Sequence, residues 1–146
     1  MDVQLKWEGK MAFTGIGGTS GHSVAIDAAP DVGGENRGAR PMELLLNGLG
    51  GCTGIDIVSI LNRMRLSFGT FEIDIHAERA EDHPKRFTHI HLHYRLTGDH
   101  LPPDKVRRAI RLSMDKYCSA AASLNADLTA SFEINGTRYE ADETTA

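Results

Sequence analysis

The sequence predicts an α+β fold, because segments with the two-residue period of strands lie on both sides of segments with helical periodicity. Val3, Leu5 and Trp7 alternate with polar residues near the start of the chain, which is typical of a half-buried strand. A long apolar run begins at Pro41 and predicts a helix to about Arg65, since proline suits a first helical turn.

The remaining elements follow from the same periodicities. Alternation predicts further strands at 11–16, 23–27, 71–76, 88–96, 128–134 and 137–139. We expect these strands to form antiparallel sheets, with the Asn135-Gly136 turn joining the last two. A second helix is expected over about 101–124, with Tyr117 on its inward face and Cys118 beside that face.

The helix that begins at Pro41 has apolar residues on nearly all sides and four glycines, at 48, 50, 51 and 54. Each interior glycine costs roughly 0.5–1 kcal/mol relative to alanine. A glycine without Cβ also lets another backbone approach closely. We therefore expect a helix that is buried all round and packed against a second copy of the protein.

Length and composition argue against several classes of function, including nucleic-acid binding. The 146 residues suit one domain, residues 1–146, with a disordered tail from about residue 140. The net charge of −4 argues against nucleic acid as a partner, which normally needs a basic face. The N-terminus has no leader pattern, and no stretch approaches the eighteen or so apolar residues of a membrane span. We expect a cytoplasmic protein without a membrane partner.

The two cysteines, Cys52 and Cys118, are the first candidates for chemistry. A thiolate can attack a peroxide oxygen, and a second cysteine within reach can resolve the sulfenic acid. The alternative is that both cysteines are buried structural thiols, which is equally consistent with their spacing in the sequence. Asp56 lies four residues after Cys52, where a carboxylate tends to raise a thiol pKa. A cation near Cys52 could offset this rise in the thiol pKa, and three arginines lie nearby in the sequence, although not necessarily in space: Arg37, Arg40 and Arg63.

Three segments carry a family resemblance: PMELLLNGLGGCTGIDIV, FTHIHLHY and DKYCSAAASL, in that order. They resemble the OsmC/Ohr family, named for osmotically inducible protein C and the organic hydroperoxide resistance protein. In that family the central helix begins with a proline and has a cysteine eleven residues later, as Pro41 and Cys52 do here. The second family cysteine follows a lysine-tyrosine pair, as Cys118 does. The resemblance covers about residues 3–134.

The resemblance implies an OsmC-like fold, with antiparallel sheets wrapped around a buried central helix and an intertwined homodimer with its sites at the dimer interface. It also implies thiol-dependent reduction of organic or hydrogen peroxides. Cys52 would attack the peroxide, Cys118 would condense with the resulting sulfenic acid, and a dithiol such as a dihydrolipoyl group would reduce the disulfide. No cofactor or metal is expected for this chemistry.

The sequence departs from the family around the thiolate. Relatives have a glutamate directly after the proline, whereas Met42 stands there and Glu43 follows. The family arginine position falls in GIGGTSG, which contains none. We therefore assign thiolate stabilisation to Arg40 or Arg37, and orientation of that arginine to Glu43. The alternative is a non-catalytic OsmC-fold binding module for a small hydrophobic ligand.

The strand histidines are the second candidates. His89, His91 and His93 occupy alternate positions and should project from one face of a strand. They could reach a shared metal if a fourth ligand cooperates. A solvated polar face is the expected state, and a metal-binding protein is the rival interpretation.

Overall fold

The computed structural model describes residues 1–142 in two compact units, residues 1–47 and the chain from residue 48 onwards. Ala141 is buried, and its N–H donates a hydrogen bond to the Ala130 carbonyl. The rest of the expected disordered tail, residues 143–146, lies outside the described residues. The single-domain organisation stays a prediction.

The first unit contains a three-stranded antiparallel sheet in the order β1-β2-β3, as expected. Its strands are β1 (Val3–Gly9), β2 (Ala12–Gly17) and β3 (Ser23–Ile26). The register aligns apolar positions on one face, which remains exposed to solvent. The exposed residues of this face are Val3, Leu5, Trp7, Phe13 and Val24. A contiguous apolar surface of this kind marks an interaction site in a soluble protein.

The second unit has a four-stranded sheet in the order β4-β5-β6-β7. The strands are β4 (Thr70–Arg79), β5 (Phe87–Thr97), β6 (Asp127–Ile134) and β7 (Thr137–Glu140). Strands β5 and β6 are parallel, so the expectation of purely antiparallel sheets is wrong here. The reason is the helical connection between them, because parallel neighbours need a long crossover rather than a hairpin.

The expected second helix is divided into three parts. It consists of α2 (Pro103–Leu112), a π-helical turn (Ser113–Tyr117) and α3 (Ser119–Ser123). A π turn has about one more residue than an α turn, so it changes which side chains face inward. This change places Cys118 in the core.

The long helix α1 (Pro41–Arg63) begins at the predicted proline. Its fully buried residues form a single stripe: Leu49, Gly50, Thr53, Ile57 and Leu61. The chain by itself leaves the rest of the helix uncovered, with Ile55 73% exposed, so the burial expected against a second copy stays a prediction. Two glycines do permit close packing, since a Cβ on Gly50 would lie 2.9 Å from Ile75 Cδ1 and one on Gly54 3.1 Å from Ile73 Cδ1.

Helix α1 is also long and apolar enough, by length and composition alone, to cross a membrane. This criterion alone does not indicate a membrane span, and the expectation of no membrane partner stays a prediction. A core helix of a soluble protein meets the same criterion, and α1 has a buried stripe that includes Thr53. The cytoplasmic location stays a prediction.

Candidate active site

The site lies where α1 meets the end of the π turn. The Sγ atoms of Cys52 and Cys118 and a carboxylate oxygen of Asp56 all lie within 4.8 Å of one another. Cys52 and Asp56 are four residues apart on α1, so they share a helix face. Both cysteines are free thiols. The structure thus brings together two predicted site residues that are 66 positions apart in the sequence.

The π turn decides which side chain reaches this site. The Cys118 N–H donates a 2.7 Å hydrogen bond to the Ser113 carbonyl, five residues earlier. A continuous α-helix would turn Tyr117 inward, but Tyr117 is 50% exposed and Cys118 only 3%. Cys118 also begins α3, because its Sγ accepts the Ala121 N–H at 3.4 Å. The inward position predicted for Tyr117 is therefore wrong, and Cys118 occupies it.

A chain of buried hydroxyls ends at Asp56. The Tyr94 hydroxyl lies 2.9 Å from Thr53 Oγ1, and the Ser113 hydroxyl lies 2.9 Å from Thr53 Oγ1 and 2.8 Å from Asp56 Oδ2. Ser113 is the donor in both of its contacts, so its single proton is shared between Thr53 Oγ1 and Asp56 Oδ2. Either hydroxyl can donate in the Tyr94–Thr53 pair. These contacts hold the Asp56 carboxylate in one orientation.

Burial controls the protonation of two groups here. It raises the pKa of the Cys118 thiol to about 11, and the neighbouring Cys52 thiol adds to the rise. Burial also raises the pKa of Tyr94, so its hydroxyl stays a neutral donor. Cys52 is only half-buried. Cys52 is therefore the thiol that solvent and small molecules reach first.

Arg37 belongs to a tight loop in the first unit. The buried Asp27 carboxylate accepts the backbone N–H groups of Ala28, Glu35 and Arg37 at 2.8–3.0 Å. The Arg37 N–H makes the largest contribution to lowering the pKa of Asp27. The Arg37 guanidinium lies 3.5 Å from Glu35 and 3.8 Å from Asp27. It is engaged with these two carboxylates, and its predicted role at the thiolate stays a prediction.

Arg40 and Glu43 interact at the start of α1. Glu43 Oε2 accepts the backbone N–H of Arg40 at 3.0 Å, which is the glutamate half of a capping box. The Arg40 guanidinium donates to the Asn36 side chain and the Gly38 carbonyl. Glu43 thus contacts the Arg40 backbone rather than its guanidinium. The assignment of Glu43 as the group that orients Arg40 stays a prediction.

The strand histidines pair with hydroxyls of β6. His89 and His91 lie within 2.9 Å of the Thr129 hydroxyl, and His91 and His93 lie 2.8 Å from the Ser131 hydroxyl. Within residues 1–142 they do not form a three-donor group like that of Cys52, Asp56 and Cys118. The structure therefore does not favour a metal shared by these histidines. They are half-buried and bonded to hydroxyls, so the expected solvated polar face is found only in part.

Sequence analysis did not identify the hydroxyl chain. Thr53, Ser113 and Tyr94 all occupy core-facing positions, and each is at most 1% exposed. The available signal was a polar residue at an inward position, such as Thr53 between Leu49 and Ile57 at four-residue spacing. A buried polar residue is more informative than an exposed apolar one. The three hydroxyls come together only through contacts between elements that are distant in the sequence, so local patterns could not predict the hydroxyl chain.

The chain belongs to the OsmC family: the family model described as OsmC-like protein matches residues 34–133. It is 38% identical over 136 residues to protein YhfA of Escherichia coli K12, covering 92% of this chain and 98% of YhfA.

Solved structures share the fold. A hypothetical protein from Aquifex aeolicus VF5 has 28% identity and a TM-score of 0.75, covering 92% of this chain and 96% of that chain. An organic hydroperoxide resistance protein OsmC from Legionella pneumophila has 16% identity and a TM-score of 0.69, with coverage of 90% and 95%. The α+β, OsmC-like fold predicted from the sequence is thereby confirmed.

Proposed function

We propose that this protein reduces organic or hydrogen peroxides through Cys52 and Cys118. The observation that carries the proposal is the proximity of the two thiols to each other and to Asp56, all within 4.8 Å. Membership of the OsmC family supports a redox role in peroxide resistance, and the Legionella pneumophila protein of this fold is named for organic hydroperoxide resistance.

Cys52 is the nucleophile because it is the more accessible thiol. Asp56 accepts the Cys52 proton, directly or through one water molecule. The thiolate attacks the terminal peroxide oxygen, the O–O bond breaks, and the departing alkoxide takes the proton from Asp56. The products are an alcohol and a sulfenic acid on Cys52.

Cys118 is the resolving thiol. Its sulfur attacks the Cys52 sulfur, the S–O bond breaks, and the hydroxide leaves as water with the proton of Cys118. A disulfide joins the two residues. A dithiol reductant, oxidised in turn to its own disulfide, restores both thiols. No resident cofactor takes part.

The functional form is an intertwined homodimer in the cytoplasm. The exposed apolar face of the β1-β2-β3 sheet and the exposed Ile55 on α1 support this assembly, since a second copy would remove them from water. Arg37 or Arg40 stabilises the thiolate in this assembly.

The test is mass spectrometry of the reduced protein after one equivalent of cumene hydroperoxide. We expect loss of both thiols in the parent protein and a dimedone-trapped sulfenic acid at Cys52 in Cys118→Ser. Cys52→Ser should lose the reaction, whereas the matched exposed-serine control Ser123→Ala should keep it. Unreacted thiols in the folded parent protein would refute the proposal and favour the non-catalytic binding module.

A further inference from the structure

The two thiols and Asp56, which the proposed peroxide reaction uses, also form a donor set for a metal ion. Two sulfur atoms and one carboxylate oxygen lie within 4.8 Å of one another, and they come from two different elements. In tetrahedral zinc sites the Zn–S and Zn–O distances of about 2.3 and 2.1 Å separate neighbouring donors by about 3.6–3.8 Å. Small side-chain rotations that move each donor atom by up to about 1 Å would close that difference.

We propose that the reduced protein binds a thiophilic divalent cation, Zn²⁺, through Cys52, Cys118 and Asp56. Two sulfur ligands favour zinc over magnesium or calcium, which prefer oxygen ligands alone. Three protein ligands leave a fourth position for water, the arrangement of an open zinc site. The half-buried Cys52 provides the access route.

The hydroxyl chain supports this assignment. Ser113 donates to Asp56 Oδ2 at 2.8 Å, which fixes the orientation of the carboxylate beside the two sulfur atoms. Ser113 is itself held by Thr53, which is bonded to Tyr94. Supporting hydrogen bonds of this type orient metal ligands, and their loss typically weakens metal affinity 10–100-fold.

The zinc site does not depend on peroxidase activity. Zinc uses both thiols in their reduced state, whereas peroxide reduction consumes them. Bound zinc would therefore protect both cysteines from alkylation and from peroxide. The two states of the site exclude each other because they need the same sulfur atoms.

The test is titration of the reduced full chain with Zn²⁺ against a chromogenic chelator, without peroxide and with thiols counted in parallel. We expect one zinc ion per chain. Replacement by Co²⁺ should add a thiolate-to-cobalt absorption band that disappears in Cys52→Ser and in Cys118→Ser. Asp56→Asn should weaken binding while keeping the sulfur-dependent band.

Ser113→Ala should weaken zinc affinity at least about 10-fold, since it removes the donor that holds Asp56. His91→Gln, a change on β5 outside the site, should leave the affinity unchanged. Circular dichroism checks that each variant is folded. Zinc that stays bound in the Cys52→Ser, Cys118→Ser double variant, or no zinc on the folded parent protein with both thiols free, would overturn the proposal.

A failure of this test leaves the proposed function standing, because peroxide consumption is measured separately in the presence of a chelator. The converse also holds, since a protein that binds zinc through both thiols and ignores peroxide would refute only the proposed function.

Discussion

The hydroxyl of Ser113 lies 2.8 Å from Asp56 Oδ2 and links the π turn to helix α1. Ser113 is fully buried, and its other neighbour, Thr53 Oγ1, is 2.9 Å away. The carboxylate next to both cysteines is therefore fixed by a residue 57 positions away in the sequence. This hydrogen bond therefore both holds the π turn against α1 and orients the carboxylate of the candidate site.

Replacing Ser113 by alanine should lower the free energy of unfolding by about 1–3 kcal/mol, because buried polar groups of Thr53 and Asp56 lose a partner. Urea denaturation followed by circular dichroism measures the change. Ser123→Ala is the matched control, since the Ser123 hydroxyl is exposed and, within the described residues 1–142, bonds the Ser119 carbonyl alone. Its effect should stay within about 0.5 kcal/mol. Equal stability of the Ser113→Ala and Ser123→Ala variants would contradict a structural role for the chain of buried hydroxyls.

Iodoacetamide should alkylate Cys52 before Cys118 in the reduced, metal-free protein. Cys118 is 3% exposed, and burial raises the pKa of its thiol to about 11, so little thiolate is present near neutral pH. Its alkylation rate should keep rising with pH beyond about 8.5, the ordinary thiol pKa. Peptide mapping after timed quenching provides the measurement. In guanidinium chloride the two residues should react alike, and faster labelling of Cys118 in the folded chain would be the contrary result.

Light scattering should give twice the chain mass of 16.0 kDa, and Leu5→Glu should shift the mass toward one chain. The substitution places a charge on the apolar face of β1, where a dimer would bury it at a high desolvation cost. Trp7 is the only tryptophan and is 63% exposed in the single chain. Its fluorescence should move to longer wavelength as the dimer dissociates.

Lys6→Glu is the control for this experiment. Lys6 precedes Trp7 on β1 and projects from the opposite face of the strand, so the same charge there should leave the mass unchanged. A parent protein that elutes and scatters as a single chain would exclude the homodimer.

Acidification should destabilise the protein through His91. Burial lowers the pKa of His91 below its ordinary value of about 6.5, and the charge of Arg138 lowers it further. Between the folded and unfolded pKa values the unfolded chain binds more protons, so the free energy of unfolding falls as pH falls from about 6.5. His91→Gln should flatten this dependence in urea titrations at several pH values. The exposed His22→Gln is the control, and an unchanged slope in His91→Gln would refute the assignment.

Much of the fold was predictable from local patterns. Pro41 marked the start of α1, and alternation placed β1, β5 and β6 close to their observed bounds. The parallel pairing of β5 with β6 was not predictable, because period-2 alternation does not record the direction of a neighbouring strand. The apolar residues of α1 that the chain does not cover, such as Ile55, are those that the sequence assigned to contact with a second copy, and this contact stays a prediction.

The sequence by itself determined most elements and the candidate thiols, because periodicity and spacing are local properties of the chain, and the resemblance of three segments indicated the family. Tertiary structure alone decided that Cys118 rather than Tyr117 faces inward, since the π turn over residues 113–117 ends at Cys118, whose backbone is extended. It also decided that Tyr94, Thr53, Ser113 and Asp56 form one hydrogen-bonded chain. Thr53 and Asp56 lie on α1, Tyr94 lies on β5 and Ser113 lies in the π turn, so their distances depend on how these three elements pack.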